Sequence, residues 1–316
     1  MDRTKLMDVL SKVLELIKFK GVVYRKFEAA APWGIELPKS RFLQFWKLLE
    51  GPCWLQIEER VSIEMAKGDL VLIPNGSKHS ISHKSDSMKI PLKTYIDFRD
   101  TPNAYFLDGN SKTKMLGGHF EFDDQYEHPL ITHLPDLLYL KALHENEQDW
   151  VELTTDQILI EIKQPNAGSD IMVNRLSEAL FIHLIRACLE RKVIDHGFLS
   201  ALTDQRISTA LQYIQNFPKR NWTMAELAKF SGMSRTQFFN TFKSLVGQTP
   251  LTYLQNWRMQ QAKEMLLKSQ LKVSVIANQV GYGSEAAFNR LFKKKFSVTP
   301  ASFRRSKTLK NTATSM

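Results

Sequence analysis

Two side chains fifty residues apart, Asn240 and Arg290, are the polar groups best suited to reading base edges. Asparagine bonds adenine in two places and arginine does so with guanine, which separates those bases from the others. Each follows a phenylalanine by two positions, Phe238 and Phe288. At 100° per residue Phe238, Phe242 and Leu245 share one helix face, as do Phe288, Leu291, Phe292 and Phe296. That aromatic stripe reads as core. Opposite it lie Thr236, Asn240 and Lys243 in the first helix, and Ala286, Arg290 and Lys293 in the second. Gln237, Phe239 and Asn289 flank those sectors. Arg235, the run Lys293–Lys294–Lys295, Arg304 and Arg305 suit phosphates, which position a duplex without specifying its sequence. The rival reading of each is a solvated surface side chain.

Metal and thiol chemistry are weaker candidates. His79 and His83 are the first two histidines of the chain, and two imidazoles are few for a transition-metal site. Cys53 and Cys188 are too few for a disulfide framework or a four-thiolate zinc site. They read as small buried groups in a reducing compartment.

The elements that must hold Asn240 and Arg290 form an internal repeat. Ser234–Arg235–Thr236–Gln237–Phe238 aligns with Ser284–Glu285–Ala286–Ala287–Phe288. Further along, Phe242–Lys243 aligns with Phe292–Lys293, Thr249–Pro250 with Thr299–Pro300, and Tyr253 with Phe303. Each copy has a preceding short helix, Met224 to Phe230 or Val273 to Val280, then a turn at Gly232–Met233 or Gly281–Tyr282. Serine then opens the next helix, where its oxygen caps an orphaned backbone N–H. Ser234 with Gln237 three positions later resembles a capping box. Helix, glycine turn, helix is the helix-turn-helix arrangement, here twice.

Charge follows the same division. Residues 204–316 carry eighteen Lys and Arg against four Asp and Glu, a net of +14, within a chain of net +10. The preceding residues are net −4 and hold all eight histidines. Two domains with different partners are expected in the 316 residues, the basic one facing a polyanion. Membrane surface is the rival polyanion, but no basic amphipathic helix with an exposed Trp/Leu face supports it. Met1 to Lys20 lacks the apolar core of a signal peptide, and no stretch reaches the ~20 apolar residues of a membrane span. A soluble, cytoplasmic protein is expected.

From Trp222–Thr223 through Arg304 the sequence resembles the double helix-turn-helix domain of the AraC/XylS family of bacterial transcription regulators. The strings GMSRTQFFNTFKSLVGQTPLTYLQNWRMQQAKEML and VSVIANQVGYGSEAAFNRLFKKKFSVTPASFR carry the resemblance. Asn240 departs from the arginine common in the family, and Thr241 from an apolar residue. Arg258 falls in the long linking helix and is read as structural. The resemblance implies double-stranded DNA and a second copy of the chain as partners. It leaves room for RNA polymerase and a small-molecule effector as well.

Upstream, short apolar runs broken by Gly, Pro and Asn indicate an all-β unit. Candidate strands are Phe42–Leu49, Trp54–Glu58, Val61–Met65, Leu70–Ile73 and Lys93–Phe98. Gly68 to His79, GDLVLIPNGSKH, fits the second cupin motif, and the wider passage resembles the cupin-like sensor domain of one AraC-family branch. So does MLGGHFEFDDQYEHPLITHLPDLLYL downstream. A metal-dependent cupin enzyme, the rival, usually supplies two histidines and a glutamate from the first motif. Here no histidine precedes His79, so neither metal nor cofactor is expected. A small barrel can hold one ligand, with Trp33, Glu36, Phe45, Trp46 and His79 as candidate lining residues, although strand aromatics also read as plain core.

The expected fold class is therefore α+β: a cupin-like β-barrel at 1–163, a helical linker at 164–203, and an all-α double helix-turn-helix at 204–307. Residues 308–316 are expected to be a flexible tail. Met172, Leu176, Leu180 and Leu184 recur at helical spacing and are the candidate dimerisation seam. Asp195 to Thr203 is the expected hinge, and 204–307 is expected to fold alone. The function expected is sequence-specific DNA binding under effector control; ligand-independent binding is the other alternative.

Overall fold

The structure is a computed structural model describing residues 3–23, 27–58, 61–98, 111–122, 128–142, 149–194 and 196–313. Its strands are β1 (Phe19–Val23), β2 (Phe27–Ala30), β3 (Gly34–Leu37), β4 (Leu43–Glu50), β5 (Cys53–Ile57), β6 (Val61–Met65), β7 (Leu70–Ile73), β8 (His79–Ser82), β9 (Ile90–Pro91), β10 (Lys112–Phe122) and β11 (Leu138–Leu140). The helices among and after them are α1 (Arg3–Ile17), α2 (Leu92–Phe98), α3 (Pro129–Thr132), α4 (Trp150–Lys163) and α5 (Ser169–Glu190). Then follow α6 (Gly197–Thr203), α7 (Gln205–Asn216), α8 (Met224–Phe230), α9 (Arg235–Val246) and α10 (Pro250–Lys268). Last come α11 (Val273–Gln279), α12 (Glu285–Phe296) and α13 (Pro300–Ala313).

One sheet runs β1-β10-β4-β7-β11, with β2 also on β10, and the other runs β6-β5-β8-β3-β9. Trp46 and Met115 of the first meet Leu55 and Ile81 of the second in one core, together with Trp33. Among the described residues no strand pairs from one sheet to the other, so this cupin-like unit is two facing sheets rather than a closed barrel. Strand β4 is buried from Leu43 to Leu48 because both its faces are covered. Trp46 and Leu48 enter the shared core, while Phe45 stacks on Phe120, whose ring meets Phe181 of α5.

Four sequence expectations change. Lys93–Phe98 is helical, not extended: Leu92 and Tyr95, three apart, are the residues that pack on the core. The expected hinge is helix α6, with Phe198, Leu199, Ala201 and Leu202 all buried. The expected tail is helical through Ala313, because Pro300 opens α13 and no Gly or Pro follows to stop it.

The fourth change is larger. The sheet unit comprises the described parts of 19–122 and 134–195, and the helical unit those of 1–18, 123–133 and 196–316. Helix α1 buries Val9, Leu10, Val13, Leu16 and Ile17 within the helical unit, where it packs on α6, α7 and α10. Residues 204–307 are thus the major part of a unit whose core also needs α1, α3 and α6. No helix among the described residues is long and apolar enough to cross a membrane.

Candidate nucleic-acid interface

The first helix-turn-helix begins at Thr223. Its hydroxyl accepts the Glu226 N–H while the Glu226 carboxylate accepts the Thr223 N–H, a complete capping box. Arg220 pairs with Glu226 at 2.7 Å, and that guanidinium holds the carboxyl down at about 2. The T-x-x-E spelling of this cap was readable in the sequence. At Ser234, where the box was expected, the serine oxygen accepts the Gln237 N–H. Gly232, at φ +64°, makes the turn between α8 and α9.

Phe238, Phe242 and Val246 anchor α9, all fully buried. Leu245, expected on that stripe, is only half-buried. Thr236, Gln237, Asn240, Lys243 and Arg235 are all exposed, and Phe239 is 37 % exposed beside them. The linking helix α10 carries Arg258, which is buried and holds two carbonyls, Pro218 O at 2.7 Å and Arg220 O at 3.0 Å. It acts as a strut, as the sequence reading had it.

The second motif repeats the plan. Phe288 and Phe292 are fully buried, and Leu291 and Phe296 pack against the same cluster. Ala286, Arg290, Lys293 and Lys294 are exposed; Asn289, Lys295 and Arg304 are half-buried. Asn289 Oδ1 is buried with no hydrogen bond. Arg304 donates from Nη2 to the Leu271 carbonyl at 2.7 Å, so part of its guanidinium ties α13 to the loop before α11. Gly281, at φ +94°, lets the chain pass Arg258: a Cβ there would sit 2.9 Å from Nη2. The two motifs therefore present a matched pair of exposed polar side chains, Asn240 and Arg290, each over a buried phenylalanine core.

Comparison with known proteins bears on both units. Residues 8–190 match the family model described as Cupin, and residues 227–306 the one described as Helix-turn-helix domain. An uncharacterized HTH-type transcriptional regulator of Haemophilus influenzae is 30% identical over 96% of this chain and 100% of its own length. A putative AraC-like transcription regulator of Streptomyces lividans is 29% identical over 96% of this chain and 100% of its own. The chain belongs to the AraC-type transcriptional regulators. HTH-type transcriptional regulator AlkR of Acinetobacter baylyi is similar to the same extent, 29% identical over 94% of this chain and 99% of its own.

In the sheet unit of this AraC-type regulator Trp33, Trp46 and His79 come together, while Phe45 and Glu36 lie elsewhere. Trp33 and Trp46 lie in the shared core, and Trp33 Nε1 donates to Thr113 Oγ1 at 3.0 Å. His79 accepts the Trp46 Nε1–H on Nε2 at 3.0 Å and faces the Ser77 carbonyl from Nδ1 at 2.8 Å. Burial pushes its pKa down to about 4, so it is a neutral ring with both nitrogens used. Phe45 points to the opposite face of β4, as side chains alternate along a strand. Glu36 is on the outside, 45% exposed and 3.0 Å from Lys78. Burial likewise pushes the Cys53 and Cys188 thiols up to about 12, away from reactive thiolates. A cavity of about 350 Å³ lies instead beneath α4, lined by Lys47, Glu50, Lys67, Lys114, Glu152 and Asp156. At its base Lys47 is buried, bonded to Thr155 Oγ1 at 2.8 Å and to Glu152.

The candidate seam on α5 divides in the same way. Leu180 and Leu184 are fully buried inside the sheet unit, Leu176 is half-buried, and Met172 is 48% exposed. The other exposed apolar residues of α4 and α5 include Trp150, Leu153, Ile160 and Ile171.

Proposed function

We propose that the regulator reads two half-sites on one face of a duplex, with α9 and α12 in successive major grooves about 34 Å apart. The observation that carries this is the exposure of Asn240 and Arg290 at equivalent places in two motifs whose phenylalanine anchors are fully buried. Asn240 then favours adenine in one half-site and Arg290 guanine in the other. Thr236, Gln237 and Ala286 border those contacts. Asn289 is a lesser reader because it is half-buried. Arg235, Lys243, Lys293, Lys294 and Lys295 meet phosphates. Arg304 is a weaker phosphate contact because it already holds Leu271.

The regulator acts as a homodimer, which raises its local concentration at paired sites. Because Leu180 and Leu184 are buried, the seam proposed here uses the exposed apolar residues of α4 and α5, Leu153, Ile160, Ile171 and Met172. A small-molecule effector suits the cavity under α4, lined by four lysines together with Glu50, Glu152 and Asp156, better than the filled space between the sheets. DNase footprinting of the full chain on duplexes selected from a random pool tests the central reading. Two protected segments about one helical turn apart are expected, and protection confined to one groove segment overturns it.

A further inference from the structure

The two motifs differ at two equivalent positions, and both differences meet the same short helix, α3. Where the first motif has Tyr253 the second has Phe303, and where the first closes its readout helix on Gly247 the second uses Ser297. Both closing residues are left-handed, at φ +77° and +62°, so serine can serve this cap. Besides that backbone angle, a side chain at 247 would have to displace the exposed ring of His133. A Cβ there would lie 2.3 Å from His133 Nε2, the ring of His133 covering the end of α9.

Tyr253 is used from the other end of α3. Its buried hydroxyl oxygen accepts Gln215 Nε2–H at 2.9 Å and lies 3.3 Å from His128 Nε2. His128 Nδ1 accepts the Leu130 N–H, which assigns the ring proton to Nε2 and makes it a donor to Tyr253. The His128 ring sits edge-on to Phe198 at 4.8 Å and to Tyr253 at 5.8 Å. Tyr253 in turn packs on Phe242, an anchor of α9, at 6.0 Å. In the second motif Phe303 packs on Phe292 at 5.8 Å with no hydroxyl to satisfy.

We infer that α3 is a wedge that sets the first recognition helix and leaves the second alone, with His128 and His133 as positioning residues for the α9 half-site. This rests on the two-half-site reading above. Only residues 133–137 separate α3 from β11, so the α9 half-site is the one a change in the sheet unit reaches along the chain. The second half-site then fixes the regulator on DNA whether or not α3 is seated.

The test uses the full chain and footprints each half-site separately on the selected duplexes. Gly247→Ser, which installs the residue of the second motif, is expected to raise the concentration protecting the α9 half-site about tenfold or more, with the α12 half-site unchanged. His133→Ala removes an exposed side chain and is expected to weaken the α9 half-site about threefold; in the double variant it should restore Gly247→Ser to that same level. Tyr253→Phe keeps the ring, loses both hydrogen bonds, and should weaken the α9 half-site alone by about three- to tenfold. A double variant as weak as Gly247→Ser means backbone strain alone and overturns the inference, as does equal weakening of both half-sites. Failure of the unaltered chain to protect two half-sites would instead remove the reading beneath it.

Discussion

In the sheet unit His79, Trp33 and Lys47 each have a polar partner inside the fold: Trp46 and Ser77, Thr113, and Thr155 with Glu152. In the helical unit Asn240, Arg290 and Lys294 stand in solvent above phenylalanines with no polar atoms. Both sets have residue types fit for chemistry. What separates them is whether the fold has already satisfied their hydrogen bonds, since a saturated group gains nothing from a ligand unless an existing bond is broken. A substitution in the first set should therefore appear as lost stability, and one in the second as lost binding.

The largest effect expected is from Leu180→Glu. It puts an unpaired carboxylate at a fully buried place in the sheet unit and should cost more than about 4 kcal/mol, seen as loss of its unfolding transition in calorimetry. Ile160→Glu, on the exposed flank, should leave that transition in place while sedimentation shows monomers. A folded dimer from Leu180→Glu would break the comparison.

Acid should affect both units, because each buries a neutral histidine. Burial holds His79 at about 4 and His128 at about 3, the latter facing His133 and Tyr253. Above about pH 6.5 neither the folded nor the unfolded chain protonates these rings, so their full stability is present. As pH falls below that, the unfolded chain takes up protons the folded one refuses, and stability drops toward the folded pKa values. The loss is on the order of 2 kcal/mol per histidine at pH 5, measurable as a lower urea midpoint than at pH 7.

Arg290→Ala should leave stability within about 0.5 kcal/mol and cost roughly 1–3 kcal/mol of binding, relaxing preference at a single base pair in a selection experiment. Uniform weakening across sequences would make Arg290 a phosphate contact. The smallest effect is from Lys294→Ala, which should weaken all duplexes alike and flatten the log–log salt slope by about 0.9.

The helical unit was more legible in the sequence than the sheet unit, for physical reasons that particular residues display. Helix α9 announces itself through Ser234 and a 3.6-residue phenylalanine stripe, both local signals, and its repetition in α12 doubles them. Strand β4 offers no such contrast. It is buried on both faces, so Phe45 and Trp46 look alike in sequence while pointing opposite ways. Leu180 and Leu184 read as a seam because an apolar helix stripe does not say whether its own domain or another copy covers it. The roles of α1, α3 and His128 were invisible because they depend on contacts spanning more than a hundred residues; His128 and Tyr253 are 125 apart.

That interleaving has a consequence for synthesis. Helix α1 leaves the ribosome well before its partners α6, α7 and α10, which lie beyond residue 196. At about 5–20 residues per second, translation of the intervening segment takes on the order of ten seconds or more. Throughout that interval the stripe from Val9 to Ile17 lacks α6, α7 and α10, while the sheet unit is free to fold. A nascent chain stalled before α6 has none of these three partners for that stripe, so it is a substrate for chaperones. The order of segments thus delays completion of the helical unit until well after the sheet unit has been made.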